Sequence, residues 1–162
     1  MQPLKSAPPI CVALGAAEAS CLRQLAAAEA DGGETFLEFR LDHLRSPEAG
    51  VAALRDFIEQ HPECFVLATC RRQENHGGFH GKQEEQVRIL KAAARAGARL
   101  LDLEVESAEA DPAAVEALRR HAPVMVSYHN FESTPPLEPV LRRLLRRPAD
   151  GYKIVTTARP PS

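Results

Sequence analysis

No two cysteines in this chain are spaced as CxxC, and Cys11, Cys21, Cys64 and Cys70 form no dense framework. A disulfide-stapled secreted fold is therefore not indicated, and a reducing compartment fits best. No apolar run approaches the roughly 20 residues needed to span a bilayer. An excess of one charge is missing too. Charged residues make up 26% of the chain at a formal net charge of -2, so the global balance draws it neither to nucleic acid nor to an anionic membrane. Small polar or anionic ligands remain within reach through local charge. The opening "MQPLKSAPPICVALGAAEAS" has one lysine and a short apolar run, but Pro8 and Pro9 precede that run and Glu18 follows closely. No signal peptide is expected, and the cytoplasm is the default location. A metal site is not expected either. His76 and His80 stand four apart, but Gly77 and Gly78 between them argue for a loop, and no third ligand is evident.

What is present is a rhythm. The 162 residues amount to one domain, 1–162, and 44% hydrophobic content is enough for a core. Short apolar or β-branched runs begin near Ile10, Phe36, Cys64, Arg99, Ala122 and Gly151, giving a β-then-α unit every 23 to 35 residues. Ser46-Pro47 and Asp111-Pro112 read as helix N-caps with proline at the first helical position, and Thr134-Pro135 as a third. Gly97 reads as a helix stop. Alternating strands and helices imply parallel pairing with right-handed crossovers.

The strands choose between an open doubly wound sheet and a barrel. A central strand of an open parallel sheet should be apolar on both faces. Here Glu38, Arg40 and Asp42 share one face; so do Thr69 and Arg71, then Asp102, Glu104 and Glu106, then Ser127 and His129, with Lys153 on the sixth strand. This predicts an α/β fold of the (β/α) TIM-barrel type, with helices over the apolar face and the polar face turned inward. Closure normally takes eight strands in about 250 residues. Only six of eight β/α units are found, so an incomplete barrel is expected, lacking its C-terminal part, with open edges that favour association.

Lys153 lies one strand after His129, with Arg40 and Arg71 across the interior. Burial and nearby guanidinium charges favour a neutral amine able to attack a ketone or aldehyde, the arginines suit an anionic substrate, and His129 suits proton transfer. Plainer readings stand beside these. Lys153 facing Asp102, Glu104 and Glu106 is equally a paired structural cation, His129 a hydrogen-bonded core residue, and Arg40 a permanent partner of Glu38 or Asp42. "HGGFHG" (His76 to Gly81) reads as a flexible loop over the mouth whose N–H groups approach the ligand. "LRRLLRRP" (Leu141 to Pro148) reads as a solvated helix face rather than a nucleic-acid patch.

The ordered set "EFRLDH" (Glu38 to His43), "TCR" (Thr69 to Arg71), "GGFHG" (Gly77 to Gly81), "DLEVES" (Asp102 to Ser107), "SYHNFESTP" (Ser127 to Pro135) and "GYKIV" (Gly151 to Val155) resembles the type I 3-dehydroquinate dehydratases. The likeness runs from about Ile10 to Arg159. It implies a Schiff-base hydro-lyase of the shikimate pathway that needs no cofactor. Lys153 matches the imine-forming lysine, His129 the general acid/base, and Glu38, Arg40 and Arg71 the substrate-binding positions; the reaction would be a syn elimination converting 3-dehydroquinate to 3-dehydroshikimate and water.

The sequence departs from that family in two places. Many members place a glutamate just before the Gly-Gly pair to orient the catalytic histidine; here His76 holds that place, with Glu74 two positions earlier. The family's last two β/α units supply a carboxylate-binding arginine and a serine and glutamine on a closing loop, and the chain ends before them. Weak or absent activity is the expectation unless another chain completes the site. The alternatives are another class I Schiff-base lyase or aldolase, and a non-catalytic remnant or interaction module. The expected partner is the small-molecule substrate, with no nucleic acid and no membrane, and a homodimer is anticipated.

Overall fold

The structure is a computed structural model that describes residues 7–158. The segment Met1–Ser6, on which the leader expectation turns, lies outside the described residues. Strand β1 (Val12–Leu14) leads to α1 (Ala19–Asp31), β2 (Phe36–Arg40) to α2 (Pro47–Gln60), and β3 (Phe65–Thr69) to α3 (Gln83–Arg95). Strand β4 (Leu100–Glu104) is followed by α4 (Val105–Ala110) and α5 (Pro112–Arg119), β5 (Val124–Asn130) by α6 (Leu137–Leu145), and β6 (Gly151–Thr156) comes last. All six strands pair in parallel in sequence order, β1 to β6.

The sheet is curled rather than flat. Parallel neighbours lie about 4.8 Å apart, so β2 and β6, four strands apart, would be separated by about 19 Å in a flat sheet. Yet Lys153 on β6 reaches Glu38 on β2 at 3.4 Å. Six parallel strands therefore form a curled half-barrel, as the inward polar face predicts.

Both faces of the sheet are ordered by the two-residue period. The outward residues Leu37, Phe39, Val66, Ala68, Leu101, Leu103, Val124 and Val126 join Leu54, Phe57, Leu90 and Leu118 of the helices in the main core. Ala26 and Ala93 are fully buried there, where a larger residue would hold the helices off the sheet. The inward face divides in two. Its lower half is an apolar plug of Phe65, Leu67 and Leu100, with Phe36, Cys11 and Met125 against it and the Phe36 and Phe65 rings meeting edge to face at 5.1 Å. Its upper half, toward the C-terminal strand ends, carries Glu38, Thr69, Asp102, Ser127 and Lys153.

The helix punctuation is mostly as expected. Ser46 Oγ accepts from Ala49 N–H at 3.3 Å and Asp111 Oδ1 from Ala113 N–H at 3.0 Å, each ahead of a first-turn proline. Gly97 takes φ 110° directly after α3, a conformation that suits glycine. Thr134 is not a cap. Helix α6 starts at Leu137 after Pro136, and the Thr134 hydroxyl instead bonds Thr156 Oγ1 at 3.2 Å and the Thr157 carbonyl at 3.0 Å, tying the β5–α6 loop to the end of β6.

The Phe57 ring packs on Phe39 at 5.4 Å and is 1% exposed, which pins α2 to the sheet. Phe57→Ala should cost about 3–5 kcal/mol through lost burial and a residual cavity, read as a lowered urea midpoint with an unchanged slope.

Candidate active site

Lys153 points inward because its neighbours Tyr152 and Ile154 pack outward on the main core, and the Tyr152 hydroxyl donates to the Arg147 carbonyl at 2.7 Å. Its Nζ lies 3.4 Å from Glu38 Oε2 and 3.4 Å from Asp102 Oδ2. Each carboxylate is braced from behind: Thr69 Oγ1 donates to Glu38 Oε1 at 2.7 Å, and Ser127 Oγ to Asp102 Oδ1 at 2.5 Å. Charge-assisted N–H···O bonds usually measure about 2.7–2.9 Å, so the ammonium is shared between two anchored carboxylates rather than locked to one.

Of the three carboxylates the strand pattern sets facing the lysine, Asp102 is a partner, whereas Glu104 and Glu106 are not, and Glu38 takes the second place. Glu104 accepts from Arg72 N–H at 2.8 Å and from Gln86 Nε2 at 2.6 Å, and Gln86 Nε2 also donates to the Cys70 carbonyl at 2.9 Å. Burial pushes the Glu104 carboxyl above its ordinary range despite these bonds. Glu106 is not on the strand at all. Helix α4 begins at Val105, and Glu106 pairs with Arg143 at 3.0 Å rather than with the lysine. Arg143 also bonds Glu109 and lies 5.9 Å from the Tyr128 ring, so part of the arginine-rich run is structural.

Arg40 donates through Nε and Nη2 to Asp42 at 2.9 and 2.7 Å. Burial alone would push Asp42 up, but Arg40's paired hydrogen bonds and charge, with the Gly78 N–H at 3.0 Å, hold its carboxyl below the usual range. The loop that carries Gly77 and Gly78 is thus seated on the site's own backbone. A Cβ on Gly77 would collide with the Arg71 carbonyl, and one on Gly78 with that of Asp42. The Gly78 N–H is committed to Asp42, where the sequence suggests a ligand contact. Arg71 is the contrasting arginine. It is 4% exposed, its Nε has no hydrogen-bond partner, and it makes no ion pair among the described residues.

His129 is half-buried, with Nε2 sealed from solvent and unpartnered. Burial, then the charges of Arg71 and Lys153 and, more weakly, Arg40, push its pKa down to about 3 against the opposing pull of Glu38. It is therefore a neutral imidazole near pH 7, able to accept a proton. Lys153, His129, Glu38, Arg40 and Arg71 thus share one electrostatic environment. Cys11 joins them from just before β1. Burial and Glu38 push its thiol up to about 12, partly offset by Lys153, so it stays protonated. Sequence reasoning gave Thr69 and Ser127, which brace the lysine's carboxylates, no role in the site, whereas Asp102 beside Lys153 and Asp42 beside Arg40 are pairings it named as the plainer reading. Thr69, Asp102 and Ser127 share the inward two-residue period within the strands, while Asp42 lies just past the end of β2. Among the described residues no group of three or more His, Cys, Asp or Glu could hold a metal ion, and no helix is long and apolar enough to cross a membrane.

The depressed His129 pKa has a signed consequence. Between about 3 and its ordinary 6.5, the unfolded chain binds more protons at this residue than the folded one, so stability falls as pH drops from 6.5 toward 3. Asp42 acts lower: its contribution is present above 3.8 and is lost as pH falls through its depressed folded value. Urea midpoints from pH 7.5 to 5 should decline in the wild type and decline less in His129→Asn, whereas Asp42→Asn should alter the profile only below about pH 4.

Against known proteins, the family model described as type I 3-dehydroquinase matches residues 10–162. The 3-dehydroquinate dehydratase of Dehalococcoides mccartyi is 35% identical over 158 residues, covering 96% of this chain and 65% of that protein. That of Methanothermobacter thermautotrophicus is 36% identical over 149 residues, covering 90% and 64%. The crystal structure of 3-dehydroquinate dehydratase from Geobacillus kaustophilus superposes with a TM-score of 0.84 at 23% identity, over 96% of this chain and 64% of that one, a likeness of fold. The chain thus spans about 65% of the length of the curated relatives it matches. With an inward-facing lysine and histidine and a family match from Ile10 onward, this chain belongs to the type I 3-dehydroquinase family.

Proposed function

We propose that this chain binds 3-dehydroquinate and dehydrates it through an imine on Lys153, with His129 as the proton carrier and Glu38, Arg40 and Arg71 as substrate-binding residues. The observation that carries the reading is Arg71: a buried guanidinium with no carboxylate of its own among the described residues, close enough to a neutral His129 to depress its pKa. Such an arginine suits the carboxylate or hydroxyl groups of a small polar acid. The relatives named 3-dehydroquinate dehydratase supply the substrate.

The chemistry follows from the groups at hand. The ammonium proton leaves through Glu38 or Asp102, and the freed amine attacks the C3 carbonyl carbon; loss of water from the carbinolamine gives a protonated imine. His129 takes the C2 proton through a ring nitrogen, and the C–H electron pair moves toward the imine nitrogen as an enamine. The imidazolium then returns the proton to the C1 hydroxyl, the enamine pair expels it as water, and hydrolysis of the conjugated imine frees 3-dehydroshikimate and Lys153. One proton shuttle serving both halves accounts for a syn course. Arg40 contributes through Nη1, since Nε and Nη2 are engaged by Asp42. A cytoplasmic setting and a homodimer belong to the same proposal; the exposed stripe of Leu137, Leu141 and Leu145 on α6 is an apolar surface a second copy would cover.

The two carboxylates at Lys153 favour one other reading, a cross-strand cation that only holds the curl. Borohydride reduction in the presence of 3-dehydroquinate separates the two. Intact mass should rise by one reduced ligand in the wild type and stay unchanged in Lys153→Ala. No gain from a folded wild-type sample would leave the structural cation as the surviving account.

A further inference from the structure

A proton-carrying imidazole is usually oriented by a hydrogen bond from its second nitrogen to a carboxylate or carbonyl. His129 has none among the described residues, and its Nε2 is buried and unpartnered. Its ring lies instead on Phe131, with centroids 5.8 Å apart and planes 26° from parallel. Phe131 in turn meets His76 nearly at right angles, at 5.3 Å and 78°. Three rings from two separate segments form one column at the mouth.

Two further observations bear on this column. Phe131 is 48% exposed, so burial in the core does not account for its position. His76 has φ 62°, the left-handed region that non-glycine residues rarely adopt, so the loop holds this ring against Phe131 at a conformational cost. The carboxylates nearby are committed elsewhere. Glu74 and Glu106 line the same small cleft of about 140 Å³ as His76 and His129, but Glu74 pairs with Arg72 and Glu106 with Arg143.

We propose that Phe131, backed by His76, is the positioning residue of His129, fixing by ring stacking the imidazole plane that a hydrogen-bonded carboxylate would otherwise fix. This rests on the proton-carrier reading of His129. The charged groups that act on that imidazole are Arg71, Lys153, Arg40 and Glu38, and none of them supplies an orienting hydrogen bond.

Long-range proton–nitrogen spectra of the ¹⁵N-labelled chain, titrated from pH 4 to 8, test this without requiring turnover. In the wild type and in Phe131→Tyr, His129 should show one neutral tautomer and no titration in that range. In Phe131→Leu its two nitrogen signals should average, its ring protons should lose their ring-current displacement, and its pKa should rise by at least about one unit as water reaches it. His76→Ala should give a smaller change in the same direction. Where turnover is measurable, kcat in Phe131→Leu should fall about 100-fold with little change in KM. Borohydride trapping at Lys153 should be the same in all four proteins. His129 signals and titration in folded Phe131→Leu that match the wild type overturn the proposal. If that variant does not fold, unchanged His129 signals in His76→Ala overturn it. Failure of trapping in the wild type counts against the imine reading alone, because the histidine spectra report on positioning independently.

Discussion

Everything at the upper end of the sheet depends on one cross-strand arrangement, the Lys153 ammonium held between Glu38 and Asp102. The three residues come from β6, β2 and β4, and they meet only because the sheet curls. Removing Lys153 would leave two inward carboxylates without their shared counter-charge, whereas removing either carboxylate still leaves the ammonium one partner. The carboxylates are themselves fixed by Thr69 and Ser127 on the intervening strands, so the five residues link β2 through β6 on the inner face. The apolar plug below them, Phe65, Leu67 and Leu100, leaves these charges facing the C-terminal strand ends.

A division of labour between the arginines follows. Arg40 is neutralised by Asp42, which also receives the Gly78 N–H, so this arginine holds local structure while keeping part of its guanidinium for other contacts. Among the described residues Arg71 has no such counter-charge. Its field is left to act on His129, which is kept neutral by burial and by the positive charges around it. Burial and those positive charges hold the imidazole in its neutral, proton-accepting form, while making it a weaker base than an exposed histidine.

Much of this was legible in the sequence because it rests on local rules. The alternation of Glu38 with Leu37 and Phe39, or of Lys153 with Tyr152 and Ile154, is a period-two signal that specifies which side chains turn inward, and Ser46-Pro47 marks a helix start from two adjacent residues. What was not legible is pairing at a distance. Glu38 and Lys153 are 115 positions apart, and no local pattern says which of several inward carboxylates will meet the amine. Glu106 was misplaced for the opposite reason: "DLEVE" continues a strand alternation without a break, while the chain turns into α4 at Val105 with no spacer to mark it. Thr134 was misread because Pro135 suggested a first helical turn, yet Pro136 follows, and the hydroxyl found β6 instead.

The seating of Gly77 and Gly78 on the carbonyls of Arg71 and Asp42 has a consequence for how a ligand enters. A segment pressed this closely onto the ends of β2 and β3, and bonded to Asp42 and Arg71 by Gly78 and Phe79, has no free pivot. It forms one wall of the site, anchored to the strand ends at both glycines and at Phe79. The segment after β5 abuts this wall, since its Phe131 ring meets His76, and it is tied to the end of β6 by the Thr134 hydroxyl and by the Thr157 N–H to the Ser133 carbonyl, so the mouth is bounded on this side by two mutually braced segments.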